Sequence, residues 1–104
     1  MMEITGTALA VLLIGSTHYV DVGQGKDAAI DYPTAAVAHM ALPDGRRLRG
    51  SWRPTETGYL VAWEGGPQGD RRIAFEPGRL TDIKPDGEPA GTISRIVPGN
   101  PEGF

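Results

Sequence analysis

The chain has no cysteine, and that single absence removes disulfides, thiolate zinc sites, iron–sulfur clusters and cysteine nucleophiles together. A packed core has to hold the fold. Positive charge is also scarce: 10 Lys and Arg stand against 13 Asp and Glu, a formal charge of -3, which offers no general attraction to phosphate backbones or anionic lipid. Nucleic acid is therefore not expected as a partner. Long apolar runs are missing as well. The stretch from Ala8 to Ile14 falls far short of the roughly 20 residues that a spanning helix needs, so no membrane association is expected. As a signal peptide it lacks a basic leading region, carries Glu3 there, and is followed by no small-x-small cleavage site. It reads as part of the mature fold, in a cytoplasmic protein.

What is present is the composition of a folded domain rich in turns: 39% hydrophobic and 22% charged residues, with 15 Gly and 9 Pro in 104 positions. One core fits this length, so residues 1–104 are read as a single domain. Thr5 is placed as an N-cap, Ile4 and Leu9 fall at staple positions, and Gly15 can end a helix in the left-handed conformation. A helix from Gly6 to Ile14 follows. Its Leu9, Leu12 and Leu13 share one face, and a helix this short is stable only when that face is buried.

From Ala35 onward, turn signals recur about every ten residues, the rhythm of an antiparallel meander. They are Pro43-Asp44-Gly45, Thr55 to Gly58, Gly65 to Asp70, Pro77-Gly78 and Pro85-Asp86-Gly87. Strands are predicted over residues 35–42, 46–53, 59–64, 71–76, 79–84 and 91–97. A short strand over 17–22 precedes a polar, Gly-containing stretch from Gly23 to Asp31. Pro-Asp-Gly favours a type I turn with Gly in the left-handed position, which sets Leu42 across from Arg46. Counting outward, Met40 opposes Leu48, Ala38 opposes Gly50, and Ala36 opposes Trp52 on a buried face. Ala41, His39 and Val37 share the wet face with Arg47, Arg49 and Ser51. The next hairpin pairs Trp52 with Val61 and Gly50 with Trp63, so both indoles face inward and Trp63 covers the strand glycine. Farther on, alternation puts Ile73, Phe75 and Leu80 inside and points Asp82 inward too, while Ile83, Ile93 and Ile96 need other parity. A bulge near Asp82 or Ile96 is expected. The tail, Pro98 to Phe104, reads as docked coil.

Candidate chemistry is sparse. Trp52, Tyr59 and Trp63 are the candidate ligand-binding residues, a stacking or apolar surface inside a half-open barrel. In a chain with so few aromatics they are read first as core. His18 and His39 have no partner at metal-ligand spacing, so no metal or other cofactor is expected, and each is read as a solvated or capped side chain. Gly65-Gly66-Pro67-Gln68-Gly69 lacks the Lys-Ser/Thr of a phosphate-binding loop and reads as a hairpin. No serine stands in a nucleophile motif, so no catalytic residue is assigned. Arg47, Arg49 and Arg53, extended by Arg71 or Arg72, form a face read as solvated edge protection ahead of an anion-binding patch.

The segments Ile4-Thr5-Gly6, Leu12-Leu13-Ile14-Gly15-Ser16-Thr17, Pro43-Asp44-Gly45, Gly50-Ser51-Trp52, Val61-Ala62-Trp63 and Gly99-Asn100-Pro101-Glu102-Gly103 together resemble a group of small bacterial proteins of uncharacterised function. In these a helix start is followed by a β-meander with Asp-Gly turns. The resemblance implies a fold and brings no activity. The expectation is an α+β domain: one short N-terminal helix packed on a curved antiparallel meander of six or seven strands, able to close into a barrel. Its expected role is non-enzymatic binding or protein interaction, with a second copy or another protein as partner. The alternative is a small-molecule-binding barrel with unrecognised enzymatic activity. A cavity under the tryptophans would favour that alternative; a filled core with an exposed apolar edge would favour protein association.

Overall fold

The computed structural model describes residues 2–23 and 25–104. A short strand, β1 (Met2–Ile4), leads into α1 (Gly6–Leu13), and eight further strands follow: β2 (Ser16–Asp21), β3 (Ala28–Tyr32), β4 (Val37–Ala41), β5 (Arg47–Pro54), β6 (Tyr59–Trp63), β7 (Gln68–Glu76), β8 (Arg79–Ile83) and β9 (Pro89–Pro98). Each of β2 to β9 pairs antiparallel with its neighbours in sequence, and β9 returns to β2, closing an up-and-down barrel of eight strands. Closure removes the open edges that a meander would leave. The extra strand β1 pairs with Ile73 to Phe75 of β7, on the edge where β6, paired through Gln68 to Arg71, has ended.

The turn chemistry sets this register as expected. Gly45 has φ +93°, Leu42 N–H donates to the Arg46 carbonyl at 2.8 Å and Gly45 N–H to Leu42 O at 3.0 Å. Met40 then opposes Leu48, Ala38 opposes Gly50, Trp52 opposes Val61 and Gly50 opposes Trp63. At Gly50 a Cβ would lie 2.3 Å from the Ala62 carbonyl oxygen and 2.8 Å from Trp63 Cε3, so only glycine lets the indole close over this strand. Two irregularities fall where parity had to change. Ser94 is skipped between the Tyr19–Arg95 and Val20–Ile93 pairs, so Ile93 and Ile96 both turn toward the core. Ala90 is skipped between Asp82–Gly91 and Ile83–Pro89.

Several expectations are corrected or narrowed. The stretch Gly23 to Asp31 is not all connection: its last residues begin β3, whose Ala28, Ala29, Asp31 and Tyr32 are buried, because two registers, against β2 and β4, need a strand between them. Met2–Ile4 is also a strand. Of the two readings of His18, solvated or capped, the second holds: it is 2% exposed and hydrogen-bonds the Leu12 carbonyl through Nε2 at 3.0 Å. Burial pushes its pKa down against that bond, so the ring is neutral and Nε2–H is the donor. Trp63 is half-buried rather than enclosed, Ala36 is exposed rather than on a buried face, and Phe75, expected inside, is 41% exposed opposite Met2 of β1.

The helix lies across one end of the barrel, with Leu9 and Leu13 fully buried among Tyr32, Ala38, Trp52 and Ile73. Ser16 Oγ donates to the carbonyls of Leu12 and Leu13, and Gly15, at φ +78°, turns the chain into β2. The tail docks on the outer wall, as expected. Tyr19 O–H donates to Glu102 Oε2 at 2.6 Å, Arg47 Nη2 to the Glu102 carbonyl at 2.9 Å, and Phe104 stacks on His39 with 5.6 Å between ring centroids.

Candidate functional site

With helix α1 stopping one end, the β2–β3, β4–β5, β6–β7 and β8–β9 connections all gather at the other. Between them the barrel opens into a cavity of about 160 Å³. Strand alternation alone determines what it meets, since every second residue points inward. Ile30, Met40 and Leu42 come from β3, β4 and the turn after β4. Val20 and Val22 come from β2 and its end, and Val61 and Trp63 from β6. Four lining residues are polar or charged: Tyr32, Tyr59, Arg71 and Asp82.

The floor of the cavity is a buried polar group resting on aromatic rings. Tyr59 O–H donates to Asp82 Oδ1 at 2.8 Å. Below them Tyr32 packs edge to face on Trp52, His18 and Tyr59, with centroids 5.4, 5.4 and 6.4 Å away. Trp52 Nε1 donates to the Thr34 carbonyl at 2.9 Å. Burial raises the Asp82 carboxyl to about 6, opposed by the Tyr59 bond and the Arg71 charge, and it drives both tyrosine hydroxyls up. A carboxyl perturbed by burial in a concave site is the kind of group that binding sites hold.

Of the three aromatic residues singled out by sequence, Tyr59 and Trp63 line the cavity and Trp52 lies beneath it in the core. Arg71 does not extend an outer patch with Arg47, Arg49 and Arg53; it faces into the cavity, while Arg72 pairs with Glu3 at 3.3 Å. Sequence reasoning misses Asp82 as a site residue although alternation points it inward, and it misses Tyr32 because the pattern of that strand reads as a connection. The cavity lining holds one carboxylate, two tyrosines and an arginine, and no histidine, serine or threonine. Larger grooves, of about 540 Å³ beside Thr55, Asp70 and Pro85, about 480 Å³ beside Arg49, Ser51 and Ala62, and about 430 Å³ beside Tyr19, Lys26 and Arg95, have a more polar lining than the cavity. Among the described residues no helix is long and apolar enough to cross a membrane, and no three His, Asp or Glu side chains cluster as metal ligands. Compared with protein-family models, curated proteins and solved structures, the chain matches none.

Proposed function

We propose that this protein is a non-enzymatic binding domain that holds a small, largely apolar molecule in the mouth of its barrel. The observation that carries this reading is the apolar cavity with the Tyr59–Asp82 pair at its floor. Its volume is close to the roughly 150 Å³ at which an apolar cavity accepts a benzene ring. Indole and toluene are suitable probes. A ligand that binds only the folded state raises stability by about 2.7 kcal/mol at a concentration one hundred times its Kd, so the urea midpoint should rise with probe concentration. A midpoint indifferent to every probe of this size would sink the proposal.

A second reading, association with another protein or a second copy, is favoured by one feature. Met2 and Phe75 face each other across β1 and β7 and are 64% and 41% exposed. A mass measurement by light scattering tests it: Phe75→Ser should convert an associated species to monomer, and a wild-type chain that is already monomeric with no partner-dependent change at Phe75 removes the reading.

A further inference from the structure

The charged groups of the cavity are arranged along one wall. Asp82 pairs with Ile73 across β8 and β7, and Arg71 is two residues from Ile73 on the same inner face, which makes Arg71 and Asp82 diagonal neighbours. They do not form a direct ion pair. The guanidinium runs the other way, toward the mouth: a Cβ on Gly69 would lie 3.0 Å from Arg71 Nη1, and that nitrogen donates to the Asp70 carbonyl at 2.9 Å. Gly69 opposes Val61 one step nearer the rim. A carboxylate thus sits at the floor and a guanidinium above it, both on the β7–β8 wall. Facing them across the lumen are Ile30, Met40 and Leu42, an apolar surface from β3, β4 and the turn that follows.

We infer that the ligand is a free α-amino acid with an apolar side chain, its ammonium on Asp82, its carboxylate on Arg71 and its side chain against Ile30, Met40 and Leu42. This rests on the small-molecule reading above and narrows it. An α-amino acid carries opposite charges on one carbon and sends its side chain away from both, which is the division between the two walls. Charge balance selects it over simpler amphiphiles. An amine would satisfy Asp82 and leave Arg71 without a counter-charge, whereas a carboxylic acid would satisfy Arg71 and leave Asp82 without one, and unpaired charge in an enclosed site is costly. Balanced bidentate recognition of a carboxylate is also what a guanidinium does best.

The test is titration calorimetry on the whole chain with L-leucine and three analogues: 3-methylbutylamine, which lacks the carboxylate, 4-methylpentanoate, which lacks the ammonium, and 3-methylbutan-1-ol, which carries no charge. Leucine should bind roughly ten- to a hundred-fold more tightly than any analogue, the change expected for one charge-assisted hydrogen bond. Arg71→Gln should bring leucine down toward the affinity of the amine and should not weaken the amine, which has no carboxylate for the guanidinium to hold. The ligand series on the unaltered protein decides the matter even if a variant folds poorly. The alcohol, the amine or the acid binding as tightly as leucine would overturn the amino-acid inference and leave the cavity reading intact. Binding of toluene and indole without binding of leucine would overturn it in the same way, and if no probe binds, both readings fall.

Discussion

Two alanines on the inner face of the barrel, one on β3 and one on β4, should respond in opposite directions to the same enlargement. Ala38 is 0% exposed within the cluster formed by Leu9, Tyr32 and Trp52, at the helix end. Ala28 is 2% exposed but borders the cavity at the other end. Ala38→Leu pushes three carbons into filled space, and overpacking of that kind costs about 1 to 3 kcal/mol. Ala28→Leu places the same carbons into the cavity, where burial contributes about 0.8 kcal/mol per carbon, offset by about 0.5 to 1 kcal/mol of lost rotamer freedom. The expected net gain is about 1 kcal/mol once imperfect filling is allowed for. Urea unfolding reads both: with a slope of about 1 to 3 kcal/mol per molar for a small domain, the Ala38 variant should lose about 1 M in midpoint and the Ala28 variant should hold or gain. The Ala28 variant should also lose binding of indole or toluene. Equal destabilisation by the two substitutions would mean that the mouth of the barrel is as full as its base, and the binding reading would go with it.

Between the usual carboxyl value of 3.8 and about 6, the folded chain holds a proton on Asp82 that the unfolded chain has released. Stability should therefore fall as pH rises through that window, by about 3 kcal/mol in all. Asp82→Asn, which still accepts from Tyr59, should flatten the pH profile and raise the urea midpoint at pH 7, and an unchanged profile would refute the assignment. Iodide should quench one tryptophan and spare the other, since Trp52 is 3% exposed and Trp63 borders the open mouth; single Trp→Phe variants identify which, and quenching of Trp52 would contradict its place beneath the cavity floor. Gly50→Ala should cost about 1 to 3 kcal/mol by overpacking, because the backbone oxygen 2.3 Å from the new Cβ cannot turn aside as a side chain can; a midpoint equal to wild type would show that β5 and β6 pair differently.

Where a local rule dictates geometry, the sequence was enough. Pro43-Asp44-Gly45 places Gly45 at φ +93°, and the pairing of β4 with β5 follows residue by residue from that turn, including Gly50 against Ala38 and then, through the next hairpin, against Trp63. The conflict of parity among Asp82, Ile93 and Ile96 likewise anticipates the two bulges. What is not legible is the strand character of segments that take it from their neighbours. Ala28-Ala29-Ile30-Asp31-Tyr32 contains two alanines and an acid, with little intrinsic preference for a strand. Only the closed barrel makes it one, by offering β2 on one side and β4 on the other. The burial of His18 is lost for a related reason: its partner is a helix carbonyl, and no sequence pattern reports that the end of α1 folds back over the start of β2.

The cavity is less legible because its decisive residue looks like an error of alternation. An acid on the inner face of a strand invites a bulge that would turn it out, and there is indeed an irregularity beside Asp82. It falls after Asp82 and leaves the carboxylate inside, where its burial carries a stability cost of about 3 kcal/mol at neutral pH. Domains of this kind are stable by only about 5 to 15 kcal/mol. A barrel shaped for stability alone would carry an apolar residue there, beside Ile73, and would have no need of Tyr59 to partner it. Tyr59 and the diagonal guanidinium of Arg71 reduce the cost without removing it, since the carboxyl stays far above its usual value. A partner that is itself cationic and enters from the mouth would remove the remainder. The same strain that makes Asp82 a poor structural residue therefore makes it a good anchor, and the open end of the barrel is the one direction from which such a partner can come.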